Sequence, residues 1–202
     1  MTLTRRTFTL AVLGLPGCTA LGVLNDAAMP QDTYVLQPVS IASQARRSSQ
    51  TLLVLEPTAP AAIAIDRMLI QQDALSVTYL SDARWADTVP KMLQTILIQS
   101  IASSGQIGFV GAQGAGPVPD AVLLTRIDAF GVEQQADRSF VARVSFELTV
   151  LRDRDQQVLG TQRFTTTLPV ADDQADTIAR SFQRALEALL PQALPWVLAR
   201  VR

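Results

Sequence analysis

The spacing of apolar residues changes period several times along the chain, and each change marks an element. "TYVLQPV" (33–39) predicts a short first strand, and the polar "SIASQARRSSQ" (40–50) predicts a turn. "TLLVLEP" (51–57) is almost continuously apolar, as expected of a strand buried on both faces. Residues 65–82 alternate with period two. Met68 and Ile70 lie on one arm and Leu75, Val77 and Tyr79 on the other, which predicts a hairpin turning at Gln72–Asp73. The spacing then becomes three and four. Trp85, Val89, Met92, Leu93, Ile96, Leu97 and Ile101 form the stripe of an amphipathic helix. Ser81 or Asp82 is the expected cap and Gly105 the expected end. Pro90 either kinks this helix or marks where it begins.

"GFVGAQGAGPVP" (108–119) reads as a loop and "DAVLLTRIDAF" (120–130) as a strand. In "SFVARVSFELTVL" (139–151), Phe140, Ala142, Val144, Phe146, Leu148 and Val150 share the face expected to meet the helices. Arg143, Ser145, Glu147 and Thr149 share the other face, expected to meet water. "RDRDQQ" (152–157) is a turn and "VLGTQRFTTTL" (158–168) the returning strand. Asp172 or Asp173 caps a second helix, with Ala175, Ile178, Ala179, Phe182, Ala185, Leu186, Leu189 and Leu190 as its stripe. Pro191 and Pro195 are expected to break it, leaving "WVLARVR" as a short final helix or strand. This order predicts an α+β fold, a largely antiparallel sheet with two main helices packed on one face.

The first 17 residues belong to a different logic. Arg5 and Arg6 precede a short apolar run ending at Leu15, too short to span a bilayer, and then come Pro16, Gly17 and Cys18. This is the layout of a secretory leader, and its end resembles the bacterial lipobox, with Cys18 as the residue acylated after cleavage. A thiolate is nucleophilic enough for that chemistry. The alternative, a buried structural cysteine, lacks a flanking element that could bury it. "TRRTFTL" fits a twin-arginine export signal and an ordinary two-arginine positive segment equally well. The predicted organisation is a leader (1–17), a lipidated tether (18–31) and one domain (32–202).

Removing the leader from the 202 residues leaves 185, a size suited to one domain. Arg5 and Arg6 leave with it, so 15 basic residues stand against 18 acidic ones, a net charge of −3. No basic excess exists to attract nucleic acid. With Cys18 the only cysteine, no intramolecular disulfide can form, and packing must hold the domain. The chain has no histidine, which excludes serine–histidine and cysteine–histidine mechanisms and every metal site that needs imidazole. Lys91 and the carboxylates remain, but no two of Glu56, Glu133, Glu147 and Glu187 form a recognisable acid/base motif. "GAQGAGP" (111–117) lacks the lysine of a phosphate-binding loop, and Pro117 and Pro119 remove amides such a loop needs. No catalytic residue, metal or cofactor is therefore assigned.

"IDRMLIQQDALSVTYLSDARWADTVPKMLQTILIQSIASSG" (65–105) resembles the ABC-type transport auxiliary lipoprotein family, which includes the paraquat-inducible lipoprotein. The resemblance rests on Asp66–Arg67 opening a hairpin, Arg84–Trp85 followed by Ala86 and Asp87 before a long helix, the early "TYVLQP" (33–38), and the lipobox. Pro16 and Met68 depart from the family pattern. The resemblance implies a non-catalytic periplasmic lipoprotein anchored in the outer membrane, partnering the MCE-domain subunits of an ABC transporter that moves lipids between the two membranes. Thr19, rather than an aspartate, follows the cysteine, in keeping with outer-membrane placement. Asp66 and Arg67 are candidate partner contacts or a surface ion pair, and the Gly111–Gly116 loop is a second candidate contact. Trp85 is expected in the core, with the stem of Arg84 over its edge. A structural or assembly lipoprotein of the outer membrane is the competing reading. A carboxylate-based hydrolase is a third, and assembly into a homo-oligomer is left open.

Cys18→Ser should leave the chain unlipidated and move it from the membrane fraction to soluble or uncleaved forms. Normal palmitate labelling of the variant would refute the lipobox.

Overall fold

Apolar alternation runs longest in the second half of the chain, and that is where the strands are longest. The computed structural model describes residues 31–41, 47–114 and 116–201; the leader, Cys18, the tether through Pro30 and the middle of the 40–50 turn lie outside them. In chain order the elements are β1 (Asp32–Tyr34), β2 (Thr51–Val54), β3 (Arg67–Gln71), β4 (Val77–Trp85), α1 (Val89–Ser103), β5 (Phe109–Ala112), β6 (Ala121–Gln134), β7 (Phe140–Arg152), β8 (Gln157–Val170) and α2 (Ala175–Val201).

β6, β7 and β8 form a long antiparallel meander, and the free edge of β6 is shared by two short branches. β2 pairs with its first residues, Leu52 beside Ala121, and carries β5. β3 pairs near its end, Ile70 beside Val132, and carries β4 and then β1. Between the branches Thr58 bridges to Arg126. The sheet is therefore forked and mixed. The long pairings are antiparallel as expected, but β1–β4, β2–β5, β2–β6 and β3–β6 are parallel. The chain returns to one edge of β6 twice in the same direction, which no hairpin can do.

One continuous core joins both helices to the sheet. Ala142, Val144, Phe146, Leu148 and Val150 are fully buried, as their alternation requires. The α2 stripe from Ile178 to Leu190 is buried, and Arg180 and Arg184 beside Phe182 are exposed. Trp85, Phe130 and Phe182 meet at the fork. The two phenylalanines stack at 4.7 Å between centroids, and Trp85 meets their edges at 5.9 and 5.4 Å.

Five expectations change. Trp85 ends β4 instead of lying in the helix: its N–H bonds to the Asp66 carbonyl at 2.7 Å, and Ala83 and Trp85 are buried while Asp82 and Arg84 are exposed. The run 81–85 fits both periods, and pairing with β1 and the hairpin decides for two. The first helix thus starts at Val89 with Thr88 as N-cap, not Ser81 or Asp82, and Pro90 sits in the first turn, where its missing N–H costs nothing. Gly105 follows the helix with φ 65°, as a helix terminator should. Leu75 belongs to the hairpin turn, and the first residues of the glycine-rich segment form the edge strand β5. Finally, Pro191 and Pro195 do not break α2. Spaced four apart, both lie on its exposed side, where water can satisfy the carbonyls they leave unbonded. Ala193, Leu194, Val197, Leu198 and Val201 continue the buried stripe beyond them, and that burial outweighs the proline penalty.

Phe182→Ala should destabilise the fold by about 3–5 kcal/mol. Arg184→Ala should change little, and Pro195→Ala should stabilise by up to about 3 kcal/mol. Urea melts of the three variants test the phase of α2.

Candidate functional site

Two polar regions flank the β3–β4 hairpin. The first is the hairpin base. Arg67 and Arg84 face each other across the strands, with a register shift between Arg67 and Leu69. Two like charges in register repel, and each finds a different partner. Arg84 lies 3.8 Å from Asp66, with both side chains about half exposed. Arg67 lies over the Tyr79 ring at 5.4 Å, and the Tyr79 hydroxyl donates to the Ala62 carbonyl at 3.3 Å. Asp66 and Arg67 are thus brought together with Arg84, but the ion pair is Asp66–Arg84, not the sequence neighbours. The Gly111–Gly116 segment begins inside β5, on the other branch of the fork, so the two candidate contacts do not share one branch.

The second region is the open face of the sheet, a groove of about 760 Å³. Ile63, Leu69 and Val77 make its apolar wall, Arg143, Ser145 and Arg163 its polar wall, and residues 129–131 its floor. Gly131 lets the wall close: a Cβ there would lie 2.6 Å from Leu69 Cδ2. Beside the floor, Arg126, Glu147 and Arg163 form one cross-strand row on β6, β7 and β8. Asp128 joins them because β6 bulges between Ile127 and Ala129, leaving Asp128 without a partner on β7. A closed ring of charge results. Arg126 reaches Asp128 and Glu147 at 2.8 Å each; Arg163 reaches the same two at 3.1 and 3.6 Å. Further along, Arg143 pairs with Glu133 at 3.3 Å. The hydrogen bond from Arg126 holds the Asp128 carboxyl below the usual carboxylate range, with the charges of Arg126 and Arg163 adding to it and partial burial opposing.

Carboxylates paired with arginines suit recognition rather than proton transfer. Among the described residues no group of His, Cys, Asp and Glu could hold a metal ion, and no helix is long and apolar enough to cross a membrane. Cys18, the sequence-assigned lipidation residue, lies outside the described residues. Sequence reading did not find the ring. The outward positions of Arg126, Glu147 and Arg163 carry a signal once the register is known, but the bulge that aims Asp128 leaves none.

Residues 34–193 match a family model described as "ABC-type transport auxiliary lipoprotein component". Among solved structures, protein XCC0632 from Xanthomonas campestris is similar at 21% identity and a TM-score of 0.76, over 83% of this chain and 95% of that one. An uncharacterized protein is similar at 16% identity and a TM-score of 0.64, over 86% and 99%. At these identities both likenesses concern the fold. No curated protein matches the sequence.

The sign of the Asp128 effect is fixed by its lowered pKa. Its stabilisation is present above the ordinary carboxylate range and is lost as pH falls through the folded value. Asp128→Asn should therefore flatten the acid limb of the stability profile below about pH 4, which pH-dependent urea melts will measure.

Proposed function

We propose a function from one premise: the chain belongs to the ABC-type transport auxiliary lipoprotein family. It acts as a lipid-anchored periplasmic accessory of an MCE-type ABC transport system moving lipids between the inner and outer membranes, and it catalyses nothing itself. The observation that carries this reading is the family match, which runs from the last residue of β1 into α2 and so takes in β2 to β8. Cys18 bears the lipid, and Thr19 favours the outer membrane.

Tether length supports a partner that crosses the gap. About 13 residues span at most ~45 Å extended and about 20 Å as a coil. The periplasm is wider, so the domain cannot bridge the membranes alone. The base of the β3–β4 hairpin is a reasonable contact, because Arg67, Arg84 and Asp66 are polar, exposed to at least a third, and contribute little to the core. Half-exposed ion pairs of this kind add little to stability and are free to exchange partners.

Crosslinking in intact membranes followed by purification tests the assignment. MCE-domain subunits should be recovered; outer-membrane assembly machinery in their place would establish the competing reading, a structural or assembly lipoprotein. Replacing Asp66 and Arg67 together with alanine should cost no more than about 1 kcal/mol of stability, weaken recovery of the MCE subunit, and raise detergent sensitivity of the cells. Undiminished recovery would remove these residues from the interface. Failure of the unmutated protein to recover any MCE subunit would remove the assignment.

A further inference from the structure

The β3–β4 hairpin carries a side chain that the core does not use. Leu75, at its tip, is 99% exposed, and Val77, the first residue of β4, is 48% exposed. The tip is well ordered by its own bonds. The Leu75 N–H donates to the Asp73 carboxylate at 2.7 Å, and the Gln72 N–H to the Ser76 carbonyl at 3.2 Å. A closed turn therefore holds a leucine out into solvent. A lone exposed leucine means little by itself. Its position relative to the point where the chain enters the domain gives it meaning.

Strand register fixes that position. Val77, Gln71, Glu133, Val141 and Pro169 form one row across β4, β3, β6, β7 and β8. Beyond this row lie the hairpin tip, the β6–β7 turn and the β8–α2 loop, which together make one end of the domain. β1 runs parallel to β4, with Asp32 beside Ala83, and the Gln31 side-chain amide donates to the Ser81 carbonyl at 2.8 Å. The chain therefore enters β1 from the side of the hairpin tip.

The charges at this end are Asp73, Asp137, Asp172 and Asp173 against Arg138. Each carboxylate is engaged in its own turn. Asp137 accepts from the Ser139 N–H and hydroxyl, Asp172 from the Gln174 N–H, and Asp173 from the Gln174 side-chain amide. None needs an outside partner, and the excess of acid disfavours an anionic surface.

We propose that this end faces the bilayer that holds the chain's lipid, and that Leu75 dips into the interface of a neutral, zwitterionic lipid surface. The proposal rests on the reading of Cys18 as the anchor. Two lengths support it. From Ala83 to Val77 along β4 is about 20 Å at the usual rise per residue. The segment from Cys18 to Pro30 is 13 residues long, enough chain to cover that distance. That much chain is enough to bring the tip to the bilayer. The hairpin base, with Asp66, Arg67 and Arg84, then points away from the membrane, toward the gap that a partner must cross.

The test uses the full chain, whose one native cysteine is acylated, with Leu75→Cys or Val118→Cys introduced and labelled with an environment-sensitive fluorophore. Val118 is 84% exposed just before β6, at the opposite end of that strand, and serves as the reference. The protein is reconstituted into phosphatidylcholine vesicles containing nitroxide-labelled acyl chains. Label at 75 should lose most of its emission to the nitroxide, and label at 118 little. Equal quenching at the two positions, or quenching at 118 alone, in protein that floats with the vesicles overturns the orientation. Protein that does not float overturns the anchor reading and the proposal with it. Quenching at 75 that persists when Cys18→Ser removes the anchor is insertion by the dye, and also overturns it.

Discussion

Three aromatic rings from three distant parts of the chain hold the fork of the sheet together. Trp85 closes the hairpin branch, Phe130 lies in the long meander and Phe182 in the final helix. Their stacked and edge-on contacts, all below 6 Å between centroids, bury three large side chains where the branch joins the meander. Parallel pairing alone would hold that branch weakly, since β3 contacts β6 through two register positions. The rings supply what the short ladder lacks. They also place Trp85 at the end of a strand, and this fixes where α1 can begin.

A forked sheet has a consequence for its open face. The two branches pair at opposite ends of β6, and the groove is lined from both the hairpin and the meander. The bulge in β6 adds local twist at the groove floor and turns Asp128 toward two arginines. Packing on the inner face and charge on the outer face are therefore coupled through one extra residue.

Elements with long, clean periods were legible in the sequence: the alternation of β7, the stripe of α2 and the hairpin. Three features were not, for identifiable reasons. Residues 81–85 satisfy helical and strand spacing together, and only pairing with β1 and the hairpin decides between them. Pro191 and Pro195 read as breakers because local propensity ignores the buried stripe that continues past them. Parallel branch pairing leaves no local trace, since its partners lie tens of residues apart. The candidate contacts fared similarly. Asp66 and Arg67 were found as a pair of types, but the actual ion pair is set by cross-strand geometry.

The β3–β4 hairpin carries different chemistry at its two ends. A buried tryptophan ends it at the base, and an Asx turn closes it at the tip. Polar, exchangeable groups sit at the base and an unshielded leucine at the tip. Such a division of chemistry suits an element that meets two different surroundings at once, and it needs no moving part to do so. The core sets the distance between them, and the free side chains decide what each end will bind.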